Sequence, residues 1–170
     1  MRITREEAAT LTAKGATAGI EARFPVREGW TGGALVIFVA GRPWNPLNGG
    51  QRSYMKHARL RKEWRERTAN RLLAVAAAQG WPLGTWPWEE PTTPKRIAFT
   101  VYGYNAFDED ALGPVCKSVR DGLRDMAVIQ NDHPGAGHEF KYVQVSTRKS
   151  GVVHGIAVRI ERRAAPDTEG

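Results

Sequence analysis

Seven consecutive apolar residues, Ala34–Ala40 (Ala-Leu-Val-Ile-Phe-Val-Ala), constrain the fold of this chain more than any other segment. A run this short and this rich in β-branched residues reads as a buried strand, so the chain must build a sheet around it. Residues 95–104 return to strand chemistry through the alternation Ile97, Phe99, Val101. Two more strands are expected at residues 139–147 and 152–161, joined by a turn at Lys149, Ser150 and Gly151. Between the strands the period changes. Residues 53–79 read as a long helix whose core-facing stripe is Leu60, Trp64, Leu72 and Val75. Residues 112–126 read as a second helix, with Pro114 tolerated in its first turn. A short helix over residues 5–14 is expected from the capping box Thr4 to Glu7 and the stop at Gly15.

The resulting order predicts an α+β fold, a mostly antiparallel sheet of about four strands with helices packed on one face. Residues 1–33 read as an appendage, 34–163 as one domain, and 164–170 as a disordered tail. A length of 170 residues suits one domain with a substantial core. No apolar run approaches a membrane span, and the first residues have no signal-peptide core, so a cytoplasmic protein is expected. The single cysteine, Cys116, excludes an intrachain disulfide framework, makes a multi-cysteine zinc site a poor fit, and is expected to be buried and inert.

The formal charge of +7 points to a polyanionic partner, and its distribution narrows the choice. Between residues 51 and 71 stand eight basic residues (Arg52, Lys56, Arg59, Arg61, Lys62, Arg65, Arg67, Arg71) against Glu63 and Glu66. With so few acids for i,i+4 pairing, phosphate contact is preferred over a merely solvated face. Arg52, Lys56 and Arg59 lie at the loop–helix junction, where a helix N-terminus also attracts phosphate. Arg61 and Lys62 extend the patch, and Asn48 and Gln51 are candidate sugar or phosphate contacts. His57 is a further candidate for phosphate. Trp81, Trp86 and Trp88 could stack on unpaired bases, but packing the loop onto the core is the preferred reading. His133 and His138 lack a convincing zinc spacing.

Against this basic background the segment 107–132 concentrates acids: Asp108 and Asp110 two apart, Lys117 and Asp121 four apart, and Asp132 in a Gln-Asn-Asp-His-Pro turn. Carboxylates that close repel one another unless a cation neutralises them, and oxygen-only ligands suit a hard divalent ion. If the strand extends through them, Asp108 and Asp110 share a face and can reach one ion. Lys117 and Asp121 share a helix face. Individually each has an ordinary reading: a helix cap for Asp110, a turn for Asp108, an Asx-turn for Asp132, a surface ion pair for Lys117 and Asp121.

Together, the phrase D-x-D-x-L, then K-x-x-x-D-G-L, then a late Asp resembles the RusA-type Holliday junction resolvases of phage and prophage. The run Pro-Leu-Asn-Gly-Gly-Gln-Arg-Ser-Tyr-Met-Lys-His-Ala-Arg at residues 46–59, continuing through residue 65, is similar to that family's Asn-containing loop and basic helix. The resemblance covers about residues 34–162 and implies a small homodimeric endodeoxyribonuclease of DNA recombination and repair. Such an enzyme would use Mg²⁺, with Mn²⁺ as a substitute and no small-molecule cofactor, to nick four-way DNA junctions symmetrically. By motif position, Asp108, Asp110 and Asp132 would be the metal-binding carboxylates, Lys117 the functional lysine, and Asp121 the Asp of the D-G-L motif. Ala111 stands where the family usually has Asn, Asn131-Asp132 where it often has Asp-Asp, and Lys117 lies further from the D-x-D pair than in the shortest members. Two alternatives share the basic surface: a catalytically silent DNA-binding module of the same fold, and a looser nuclease acting on forks and flaps.

Overall fold

Gly29–Thr31 (β1) and Ala34–Ala40 (β2) form an antiparallel hairpin in the computed structural model, which describes residues 24–47, 54–88, 90–148 and 151–164. The two-residue turn Gly32-Gly33 has φ of +60° and +78°, a left-handed pair open to glycine and matched to the twist of a hairpin. β1 raises the strand count to five, one more than expected, and its Gly-Gly turn was the available signal. The sheet therefore begins at Gly29, within the stretch read as an appendage. The expected helix at residues 5–14 and the tail from residue 165 lie outside the described residues.

The remaining elements are α1 (Tyr54–Gln79), β3 (Lys95–Gly103), α2 (Leu112–Asp125), β4 (Glu139–Ser146) and β5 (Gly155–Arg162). The fold is α+β, with strand order β1-β2-β5-β3-β4 and every pairing antiparallel except β3 with β4. The expectation that β4 and β5 follow each other as neighbours across a Lys149–Gly151 turn is corrected, because β3 lies between them. The reason is patterning. β5 is apolar on both faces along most of its length and takes the centre, whereas β4 alternates polar residues and stays at the edge.

One face of the sheet is continuous apolar surface. Leu35, Ile37 and Val39 face Ile160, Val158 and Ile156 across one ladder, and Ile97, Phe99 and Val101 face the same β5 residues across the next. Trp64, Leu72 and Val75 of α1 and Val115, Val119 and Leu123 of α2 complete this core. Leu60, expected in the stripe of α1, is only half-buried. Thr68 occupies the buried turn between Trp64 and Leu72 instead, its hydroxyl satisfied by donating to the Trp64 carbonyl at 2.8 Å.

Thr68 also sets how closely the helices approach. A Cβ placed on Gly122 would stand 2.7 Å from Thr68 Cβ and 3.2 Å from the Arg65 carbonyl oxygen. The glycine of the D-G-L motif thus lets α1 and α2 meet almost backbone to side chain. The tryptophans pack: Trp30 makes edge contacts with Trp81 and Trp88, and Trp86 Nε1 donates to the Met126 carbonyl at 2.8 Å. Their loop is clipped by Lys95, a fully buried side chain whose ammonium donates to the carbonyls of Glu90, Pro91 and Thr93 and is pushed by burial down to about 8. No helix among the described residues is long and apolar enough to cross a membrane.

Gly122→Ala should destabilise the protein by about 1–3 kcal/mol, the usual cost of forcing extra volume into a packed contact. Denaturant unfolding checks this, and a variant as stable as the parent would show that the helices have room to separate.

Candidate functional site

β2 and β3 each pair antiparallel with β5, so they run in the same direction and their following loops leave the sheet at the same end. Arg42 and Pro43 after β2, residues 103–105 and Phe107 after β3, and His154 before β5 line one small cleft there of about 110 Å³. Trp64 and Arg67 of α1 sit against this end too, with Arg67 Nη1 donating to the Ala40 carbonyl at 3.3 Å. The loop leading to the basic helix and the loop leading to the D-x-D pair are therefore neighbours.

The D-x-D pair itself differs from expectation. β3 ends at Gly103, and Asp108 follows four residues of loop with φ −62° and ψ 148°, capping a single 3₁₀ turn at Glu109–Ala111 that leads into α2. Asp108 is the extended cap and Asp110 lies inside the turn, so the two are not successive residues of one strand face and the same-face argument, which needed β3 to continue, does not hold. Both are exposed, and among the described residues neither side chain has a hydrogen bond or ion-pair partner. Their loop is nevertheless pinned. The Gln144 amide of β4 accepts from Phe107 N and donates to Phe107 O, both at 2.8 Å, fixing the backbone immediately before Asp108.

The other three expected residues do meet. Lys117 Nζ donates to Asp121 Oδ1 at 3.2 Å and to Asp132 Oδ2 at 3.3 Å. Two arginines absent from the sequence reading complete the group: Arg120 Nε lies 3.9 Å from Asp132 Oδ2, and Arg124 reaches Asp121 at 3.4 Å and Asp132 at 3.8 Å. Their spacing at i+3 and i+7 from Lys117 was the signal, since it puts all three cations on one helix face. Arg120 is held differently from the rest. Its guanidinium lies 5.4 Å over the Phe140 ring and donates to the Tyr142 hydroxyl at 2.8 Å. Partial burial pushes the Asp132 carboxyl up, but the Lys117 hydrogen bond and the Lys117 and Arg120 charges outweigh it and leave it below its ordinary 3.8.

Two carboxylates in this basic chain thus owe their neutralisation to the protein's own cations. Asp132 is tied to the middle and end of α2, whereas Asp108 and Asp110 precede its first turn. Among the described residues no three His, Cys, Asp or Glu side chains are grouped closely enough to hold a metal ion. The oxygen donors suit Mg²⁺ or Mn²⁺ by type. Their arrangement does not make a three-carboxylate pocket.

Of the expected DNA contacts, Asn48, Gln51 and Arg52 lie outside the described residues. Lys56, Arg59, Arg61 and Lys62 are exposed on α1. Pairing on this helix is more complete than its composition suggested: Arg59 and Arg67 share Glu63, Lys62 pairs with Glu66, Arg65 with Asp125 at 2.7 Å, and Arg71 with Glu28. Lys56 and Arg61 have no carboxylate partner among the described residues. The Arg59–Glu63 pair, with side chains 72% and 39% exposed, is worth at most about 1 kcal/mol and does not tie the helix face up. His57 packs against Trp44 at 4.7 Å, His133 caps the turn at Pro134–Ala136, and His138 accepts from Lys95 N. Cys116 is fully buried, which pushes its thiol up to about 12. No protein-family model and no curated protein sequence matches this chain.

The Asp132 network makes a pH prediction. Because its folded pKa lies below the unfolded value, the ionised carboxylate stabilises the fold above about pH 4, and that contribution is lost as pH falls through the folded value. The stability gap between wild type and Asp132→Asn should be constant near neutrality and close on acidification. Thermal melts from about pH 7 to about pH 3 measure it; a gap that widens in acid would contradict the assignment.

Proposed function

We propose that the chain is a RusA-type endodeoxyribonuclease that resolves four-way DNA junctions as a homodimer. The observation that carries this reading is the convergence of Lys117, Asp121 and Asp132 in one network on a helix packed against the basic α1. These are also the residues that the K-x-x-x-D-G-L motif and the late Asp single out in the sequence. Asp108 and Asp110, neither with a partner among the described residues, add two exposed carboxylates at the start of the same helix, at the sheet end where the basic loop departs. Lys56 and Arg61, exposed and without a carboxylate partner among the described residues, would take backbone phosphates, and the weak Arg59 and Lys62 pairs would exchange Glu63 and Glu66 for phosphate. Lys117 would offset charge on the phosphate undergoing attack. Dependence on Mg²⁺, with Mn²⁺ as a substitute, belongs to the proposal because of the donor type. A cytoplasmic setting, that of the bacterial host for a phage or prophage protein, belongs to it as well.

One observation favours a second reading, a DNA-binding module without catalysis. Asp132 already has three cationic neighbours, and the acids are not gathered into a metal pocket. The two readings separate on labelled four-way junction, fork and linear duplex DNA, each with Mg²⁺ or with EDTA. Paired nicks in the junction only with metal are expected, and Asp108→Asn, Asp110→Asn and Asp132→Asn should each abolish them while binding persists. Junction binding without cleavage by the wild-type protein would establish the silent module, and cutting of forks and flaps as readily as junctions would establish the looser nuclease.

Paired symmetric cuts need two sites related by the two-fold symmetry of the junction, and one domain of this size supplies one. Light scattering across a dilution series should report a dimer. A strict monomer, free and DNA-bound, would remove the symmetric mechanism.

A further inference from the structure

Two backbone hydrogen bonds build one corner at the end of the sheet. Thr147 N donates to the Gly103 carbonyl at 3.0 Å, which sets Arg148, just past β4, beside the loop that follows β3. Gly41 N donates to the His154 carbonyl at 3.0 Å, which sets Arg42 beside the entry to β5. The corner that results pairs an exposed aromatic ring with a cationic cleft. Tyr104 is 52% exposed, and the Arg148 guanidinium lies 4.9 Å over its ring. Tyr104 also lines the cleft of about 110 Å³, together with Arg42, Asn105 and His154. No carboxylate is among the lining residues, and neither Arg42 nor Arg148 has a carboxylate partner among the described residues.

This lining suits a phosphate. Arg42 brings a full charge, Asn105 an amide, and either ring tautomer of His154 has an N–H to donate. Size decides what else enters. At about 30 Å³ per water the cleft has the room of a few waters, enough for a phosphate group and too little for a base with its sugar. A base attached to that phosphate must lie outside, where the Tyr104 ring, backed on one face by Arg148, presents a flat apolar surface. We propose that this corner binds one unpaired nucleotide of DNA, its phosphate in the cleft with Arg42 and His154 and its base stacked on Tyr104. A base inside a duplex is already stacked on both sides and offers no free face, whereas a nucleotide at a branch or in a single-stranded arm does. The inference rests on the DNA-binding part of the proposed function, not on cleavage. It adds a feature that favours unpaired DNA, which the exposed cations of α1 do not supply, since backbone phosphates are alike in every form of DNA.

The test uses the full chain in EDTA, a short labelled single strand containing 2-aminopurine, and a blunt duplex. Thermal melts confirm that each variant is folded. Tyr104→Ala should bind the single strand about tenfold more weakly, the loss of one base–aromatic stack, and bind the duplex like wild type. At saturating protein, 2-aminopurine fluorescence should be quenched by wild type and by Tyr104→Phe, which keeps the ring, and not by Tyr104→Ala. Arg42→Gln should lower the slope of log single-strand affinity against log salt by about 0.7, one phosphate contact. Unchanged single-strand binding by Tyr104→Ala, or an equal loss on the duplex, overturns the nucleotide site and leaves duplex binding by α1 and the proposed function in place. An unchanged slope for Arg42→Gln overturns the placement of the phosphate. If the wild-type protein binds neither DNA, the nucleotide site and the proposed function fail together.

Discussion

A parallel pair of strands cannot be joined by a tight turn; the chain must cross over the sheet and return to the end where it began. β3 and β4 are such a pair, and α2 is part of the crossover. That single constraint distributes the candidate site. Asp108 and Asp110 stand where the chain leaves β3, Lys117 and Asp121 ride on the helix, and Asp132 lies on the return path toward β4. The helix must also sit low enough for α1 to cover the rest of the sheet, which Gly122 permits by accepting Thr68 at a distance that a Cβ would forbid. Fold and site share the same short sequence for this reason: the D-G-L motif supplies an ion-pair partner, a packing contact and a core residue in three consecutive positions.

Magnitudes separate the two charged regions. On α1 the pairs of Arg59, Lys62 and Arg67 are exposed, screened by salt, and worth a fraction of a kcal/mol to about 1 kcal/mol each, whereas Arg71 is held by the half-buried Glu28. Around Asp132 the carboxylate is only 15% exposed and has three cations within 4 Å, of which Arg120 is fixed by packing while Lys117 and Arg124 are half-exposed surface chains. The basic helix is therefore a surface open to exchange, while the acid network has a defined resting arrangement.

Periodicity made most of the fold legible. The apolar run at Ala34–Ala40 and the alternation from Ile97 to Val101 mark strands because their side chains must share one buried face, and the long helix followed from its stripe. What stayed hidden depended on competition between segments. The patterns of β4 and β5 place β5 at the centre only when the two are compared, not when each is read as a strand by itself. Lys95 was invisible for a similar reason. A lysine beginning a strand is ordinarily solvated, and only the loop at residues 90–93 folding over it supplies three carbonyls that make burial tolerable.

In the site, spacing along a helix was readable and spacing across a loop was not. Lys117, Arg120 and Arg124 fall on one face because 3.6 residues make a turn, so the pairing of Lys117 (i−4) and Arg124 (i+3) with Asp121 follows from sequence alone. Asp108 and Asp110 were expected together only if the strand continued through them, and it stops at Gly103. Lys117 is the seventh residue after Asp110, which corresponds to about 10 Å of axial rise if the helix is continued back that far. Among the described residues Asp108, Asp110 and Asp132 are not grouped closely enough to hold one ion. For the three aspartates to act on one ion, the 108–110 turn or the Asp132 side chain must move. Gln144 holds the backbone before Asp108 with two hydrogen bonds, while Asp132 is held by ion pairs to Lys117, Arg120 and Arg124.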